Sequence, residues 1–258
     1  MTSRLRANEL TVSYGDAPVL ENLSLDFADG QITVVVGGNA CGKSTLLKTL
    51  ARLLKPKSGS VILDGTPLSK QNTKSVAQKL AILPQSTETP KGMRVVDLVA
   101  RGRTPHQTPL QQWSARDQKV VEAALDSVGL SEISNQALED LSGGQRQRAW
   151  VGMVLAQEPE ILLLDEPTTY LDLKYQIEVL ELVRSLQAQR ELTVVMVLHD
   201  INLAARFADQ IVGLKDGNII CQGSVQEVIT TENLKSIYGL NAEIVYGSDS
   251  SVPVVVPH

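Results

Sequence analysis

The chain has 258 residues, 43% of them apolar, 3% aromatic and 21% charged, and 24 Lys+Arg against 29 Asp+Glu leave a net charge of −5. At about 150 residues per domain this is one large domain or two small ones, long enough to bury a core, which excludes disorder and a disulfide-stapled mini-fold. The acidic balance argues against nucleic acid as the main ligand, and the two cysteines, Cys41 and Cys221, start no CxxC or Cys/His cluster, so a zinc site is unsupported and a reducing compartment is expected.

In chain order, the N-terminal stretch MTSRLRANEL lacks the apolar segment of a signal peptide, so export by that route is not expected. Ile32–Val36 is a β-branched run that stops at a Gly-rich loop, after which Leu46, Leu47, Leu50, Leu53 and Leu54 repeat at helical spacing. Val61–Leu63 ends at the turn signal Asp64-Gly65, and Leu80–Leu83 is a further candidate strand. From about Thr87 to Trp150 no long β-branched run occurs, and Val120, Val121, Ala124, Leu125 and Val128 form one helix face. Strand-like runs return at Ile161–Leu164, Thr193–Leu198 and Ile211–Leu214, separated by helical stretches. None approaches the roughly 20 apolar residues of a membrane span. The alternation predicts an α/β fold with a mostly parallel sheet covered on both faces, interrupted by a helical insertion. The tail from about Val245, with its apolar run Val252–Val256, receives no assignment.

Three stretches carry chemistry. Gly37-Gly38-Asn39-Ala40-Cys41-Gly42-Lys43-Ser44-Thr45 fits GxxxxGK[ST] between a strand and a helix. Backbone N–H groups and the helix N-terminus there offer positive charge to phosphate oxygens, Lys43 adds a point charge, and the Ser44 hydroxyl can ligate Mg²⁺. Ile161–Leu164 runs into Asp165-Glu166, two acids at a strand end where open α/β sheets bind ligands. Asp165 suits Mg²⁺ and Glu166 suits polarising an attacking water. Leu141-Ser142-Gly143-Gly144-Gln145 places a Ser before two glycines, which reads equally as an ordinary helix start or as an anion nest. His199-Asp200 follows the run Thr193–Leu198, and a lone His at a strand end is by itself more often structural.

Together these residues resemble the ATP-binding cassette (ABC) ATPases of the P-loop NTPase class, over about Leu10 to Gln222. The resemblance implies a nucleotide-binding domain with an N-terminal antiparallel β subdomain, a core made of residues 1–86 and 151–245, a helical and signature subdomain at 87–150, and a tail at 246–258. It implies that Tyr14 stacks on adenine, a contact worth roughly 1–3 kcal/mol per base in nucleic-acid cases. Gln85 matches the residue that touches Mg²⁺ and links the site to the insertion, so Ser44, Gln85 and Asp165 form the implied metal set. Ser142, Gly143, Gly144 and Gln145, with Asp172 of the Leu171-Asp172 pair, would meet ATP held by a second copy. His199 would hold the γ-phosphate and the water. ATP and Mg²⁺ are the implied cofactors, and two copies would sandwich each nucleotide.

The missing span and the stretch Val99-Ala100-Arg101-Gly102-Arg103-Thr104-Pro105-His106 resemble the iron-chelate importer ATPases of ferric-siderophore type. The resemblance implies a subunit on the cytoplasmic face of the membrane that energises a separate permease, docked through Arg101, Arg103 and His106. The chain itself would touch neither lipid nor nucleic acid. The alternatives are a haem or cobalamin importer ATPase, or a soluble ATPase of the iron–sulfur assembly type. Two departures stand out: Ala40 occupies a position the family usually gives to Gly, so that turn is expected to tighten differently, and Gly38 replaces the usual Pro.

Overall fold

Two strands of alternating burial open the chain, β1 (Leu5–Ser13) and β2 (Pro18–Phe27), in this computed structural model, which describes residues 3–15, 17–85, 91–108, 113–247 and 251–258. They lead to the fully buried β3 (Ile32–Gly37), then α1 (Lys43–Leu50), β4 (Ser58–Leu63) and the short β5 (Thr66–Pro67). Helix α2 (Thr73–Lys79) runs into β6 (Leu80–Leu83). A helical stretch follows, with α3 (Val95–Arg101), α4 (Ala115–Ser127) and α5 (Gly143–Ala156). Strand and helix then alternate through β7 (Ile161–Asp165), α6 (Leu173–Arg190), β8 (Thr193–Val197), α7 (Ile201–Phe207) and β9 (Gln210–Lys215). The chain closes with β10 (Asn218–Ser224), α8 (Val225–Val228), α9 (Thr231–Tyr238), β11 (Ala242–Tyr246) and β12 (Pro253–Pro257).

Among the described residues, a six-stranded sheet has the order β10-β9-β3-β8-β7-β6, parallel throughout except at the β10 edge. A four-stranded antiparallel sheet, β2-β1-β4-β5, covers one of its faces. The expected α/β architecture with an antiparallel N-terminal sheet is therefore present. The reason is visible residue by residue. Successive side chains of a strand point to opposite faces, and here both faces are buried. Val34, Val36, Leu162, Leu164, Val194 and Met196 pack with the helical stretch and α6. Val35, Ile161, Leu163, Val195 and Val197 pack with α1 and the N-terminal sheet. No helix among the described residues is long and apolar enough to cross a membrane.

Four expectations meet different structure. The leucine periodicity of α1 overruns the helix, which stops at Leu50: Arg52 takes a left-handed φ of 61°, Leu53 and Leu54 turn back to donate to the Lys48 carbonyl, and Leu53 is left exposed. The unassigned tail forms the β11–β12 hairpin, tied to α7 because Asn202 both donates to the Val255 carbonyl and accepts its N–H. The 150/151 boundary falls inside α5, a helix that packs on α3 and α4, and the 86/87 boundary lies outside the described residues. The fourth concerns Arg103. Read as part of an exposed docking patch, it is instead 1% exposed, its Nε donating to Asp117 at 2.8 Å and its Nη1 to the Ala156 carbonyl at 2.7 Å and to Glu158 at 2.9 Å. A buried guanidinium needs such partners to offset desolvation. Arg103 therefore clips the loop after α3 to the start of α4 and the end of α5, and offers nothing to a partner surface. Arg101 is exposed, and His106 is half-buried with its Nε2 2.8 Å from the Gln157 carbonyl.

Candidate active site

Strand β3 delivers the chain into the loop Gly38–Gly42, and α1 begins at Lys43 with Gly42 in a left-handed conformation as its N-cap. Ala40 is left-handed too, at φ 59°. Ala40 thus takes up a left-handed strain that a glycine would not feel, a cost of roughly 1–2 kcal/mol for a residue with a Cβ. Lys43 is 5% exposed, and its Nζ donates to the carbonyls of Gly37 at 2.9 Å and Gly38 at 2.7 Å. The ammonium is thereby held against the loop at the N-terminus of α1, where helix ends attract phosphate oxygens.

The ends of β6, β7 and β8 bring four more side chains to this loop: Gln85, Asp165, Glu166 and His199. At the end of β7, Asp165 accepts the Ser44 hydroxyl at 2.9 Å, while its second carboxylate oxygen, Oδ2, is buried without a hydrogen-bond partner. Burial raises the Asp165 carboxyl above its ordinary value, with Ser44 acting against the shift and the neighbouring Glu166 adding to it. An orphaned carboxylate oxygen beside a hydroxyl is a hard-donor pair of the kind that a Mg²⁺ ion satisfies, so the residues present fit the implied metal. Glu166, one residue on, sits at a left-handed φ of 52° and is 8% exposed. Its Oε2 accepts Gln85 Nε2 at 2.5 Å and the Thr169 hydroxyl at 3.1 Å, and its Oε1 lies 2.6 Å from His199 Nε2. The carboxylate is thus fixed by groups from three loops.

A cavity of about 410 Å³ joins Tyr14, Val19, the stretch Asn39–Thr45, Gln85, Glu166 and His199. Tyr14 is 64% exposed at its rim, with its hydroxyl 3.5 Å from the Thr45 hydroxyl, so a ring face is open to a flat ligand. Two groups in the site were not singled out by the sequence. Thr169 fixes the Glu166 carboxylate, and its only signal was its place three residues after Glu166; Val19 lines the cavity from β2 and left no signal.

The remaining candidates lie elsewhere. Ser142 caps α5: its hydroxyl accepts the Gln145 N–H at 3.3 Å, and the Gln145 side chain accepts the Ser142 N–H at 3.0 Å. Asp172 caps α6 by accepting the Tyr175 N–H at 3.1 Å. None of Ser142, Gly143, Gly144, Gln145 or Asp172 lines the cavity of the phosphate loop in the same chain. They form a second face of their own, because a Cβ on Gly144 would lie 2.8 Å from the Tyr175 ring and one on Gly143 would lie 3.4 Å from Leu171. Only a glycine lets α5 start this close to α6.

Comparison with known proteins gives a consistent result. The profile of the ABC transporter family matches residues 20–169. The ferric enterobactin transport ATP-binding protein FepC of Escherichia coli (strain K12) is 45% identical over 99% of this chain and 94% of its own. A solved ABC transporter of metal-chelate type, in an inward-facing conformation, superposes with a TM-score of 0.87 at 30% identity, covering 100% of this chain and 98% of the other. A dimeric bacterial ABC transporter cassette superposes with a TM-score of 0.74 at 27% identity, covering 86% of this chain and 98% of the other.

Proposed function

Because the chain belongs to the ABC transporter family, we propose that it is the ATP-hydrolysing subunit of an importer, energising uptake of an iron chelate of ferric-siderophore type through a separate membrane permease. The observation that carries the ATPase part is the Glu166 carboxylate held by Gln85, Thr169 and His199 beside the phosphate loop. The chelate part rests on the full-length similarity to FepC and to the metal-chelate type transporter. A soluble iron–sulfur assembly role is not the reading these relatives favour.

In this reading Tyr14 stacks on the adenine, and the loop Gly37–Gly42 with Lys43 takes the phosphates. Ser44, Asp165 and Gln85 hold Mg²⁺, which when bound neutralises phosphate charge. Glu166 accepts a proton from the attacking water, and His199 at 2.6 Å orients the carboxylate and the γ-phosphate. The face built from Ser142–Gln145 and Asp172 acts on the nucleotide of a second copy, head to tail, so that each site is completed in trans. ATP closes the pair, and hydrolysis reopens it. In this reading the exposed Arg101 and the half-buried His106 are the side chains of the docking stretch that meet a permease, and the chain reaches the cytoplasmic face of the membrane through that partner.

The test is affinity purification of the tagged chain from detergent-solubilised membranes. A stoichiometric membrane permease pair is the expected partner. Soluble scaffold proteins alone, with no membrane protein, would overturn the importer reading.

A further inference from the structure

Charge is spread unevenly along the chain. Residues 43–79 hold eight Lys and Arg against a single acid, Asp64, in a chain whose totals are 24 and 29, which leaves 16 against 28 for the rest. The loop after α1 concentrates this excess. Its start is fixed by the Leu53 and Leu54 N–H groups on the Lys48 carbonyl, and its end by the Lys57 N–H on the Thr11 carbonyl of β1 at 2.8 Å. Between these ties Arg52, Leu53, Lys55 and Lys57 are all exposed.

A cavity of about 590 Å³ opens on this loop, lined by the cations Arg52, Lys55 and Lys57 and by Ser58, Ser60 and Ser69, and no acid lines it among the described residues. It shares no lining residue with the cavity of the phosphate loop. Arg52 donates one N–H to the Gln71 carbonyl at 2.9 Å, and among the described residues none of the three cations is paired with a carboxylate. Cations free of acids beside hydroxyl groups are a donor set for phosphate oxygens, which a guanidinium can meet with two parallel N–H groups. Leu53, 65% exposed among them, adds an apolar side chain that a site for a free anion does not need. Basic residues around an exposed apolar one are the combination that holds a protein at a lipid interface. The patch also runs on toward the docking stretch. Gln71, which accepts from Arg52, precedes the Asn72 cap of α2, and Lys74 of α2 donates to the Gln107 carbonyl, one residue past His106.

We infer that this cavity and Leu53 form a membrane-contact site that takes the phosphate headgroups of anionic phospholipids. The site adds a direct lipid contact to attachment through the permease, where the family resemblance implies none. Its direction toward the bilayer rests on the permease reading, because Gln107 ties the patch to the docking stretch; its chemistry does not. The acidic remainder of the chain is repelled by the same surface, so charge alone orients the molecule with this face inward. Each Lys or Arg at an anionic membrane contributes enough that neutralising two lowers partitioning roughly tenfold to thirtyfold.

The experiment is co-sedimentation of the full chain, without permease, with vesicles of phosphatidylcholine alone or of equal parts phosphatidylcholine and phosphatidylglycerol. Wild type is expected to bind the anionic vesicles and not the neutral ones, and to be released as salt is raised. Lys55→Gln with Lys57→Gln should lower binding roughly tenfold to thirtyfold, and Leu53→Ser by about tenfold, while ATP hydrolysis without vesicles stays at the wild-type rate in both variants. No binding, equal binding to both vesicles, or binding indifferent to Lys55 and Lys57 overturns the inference. So does a rise in Tm with inorganic phosphate that needs Lys55 and Lys57 in a chain that ignores vesicles, since the site would then be one for a free anion. Vesicle binding in a chain that captures no permease would instead overturn the importer reading and leave the lipid site standing.

Discussion

Glu166 holds a left-handed φ that an ordinary side chain avoids, and three side chains converge on its carboxylate. Strain of this kind persists where the surroundings over-determine a residue, and here they fix a carboxylate beside the phosphate loop. Glu166→Gln keeps the shape and, through its amide oxygen, the bonds from Gln85 and Thr169, but loses the basicity. Mg·ATP affinity is expected to stay near wild type while turnover falls by about 10²–10⁴-fold, and wild-type-like hydrolysis would remove Glu166 from its role. Ala40 gives the complementary case of strain without evident gain. Replacing it with Gly relieves roughly 1–2 kcal/mol of left-handed strain against about 0.4–1 kcal/mol of added chain entropy. A net gain near 0.5 kcal/mol corresponds to a Tm rise of about 1–2 °C by calorimetry, with nucleotide affinity retained. Both positions were legible as residues, since Lys43, Asp165 and Glu166 announce themselves by type and spacing. Their conformations were not, because φ depends on how the loop is held from outside.

At the scale of elements, Arg103 shows where sequence reading fails. Arg-Gly-Arg followed by Thr-Pro-His looks like an exposed basic stretch, yet Arg103 is buried against Asp117 and Glu158, which are 14 and 55 residues away. Nothing local in the sequence announces that pairing. Arg103→Ala strands the Asp117 carboxylate and the end of α5, and a loss of about 3–5 kcal/mol is expected in urea unfolding. The Ser114 hydroxyl first, and Arg103 after it, hold the Asp117 carboxyl below its ordinary value. Its contribution is therefore complete above the unfolded carboxylate value of about 4 and fades as pH falls through the lower native one. Arg103→Ala should accordingly lose less stability than wild type on acidification; an identical pH profile would show that the clip does not control Asp117. Other elements were readable to the degree that they are local. The buried strands β3, β7 and β8 stand out as β-branched or leucine runs, whereas the β11–β12 hairpin was missed because what ties it to the rest of the fold is Asn202 of α7, 53 residues before Val255.

For the whole molecule, the decisive feature is the separation of two faces. The phosphate loop, Glu166 and His199 meet in one cavity, while Ser142–Gln145 and Asp172 gather around the close approach of α5 to α6. Residue spacing alone could not say that the two sets part company; the family resemblance implied it, and the fold keeps Ser142–Gln145 and Asp172 out of the cavity of the same chain. A site split in this way fits a cassette that works as a pair and is driven open and shut by its nucleotide. What the pair drives is the central claim, and uptake of radiolabelled iron by cells lacking this chain tests it most directly, with defined chelate classes supplied and either the wild-type chain or Glu166→Gln returned. The account predicts that uptake of one ferric-siderophore class is lost with the chain, restored by wild type and not by Glu166→Gln. Uptake that is indifferent to the chain, or fully restored by Glu166→Gln, would contradict it.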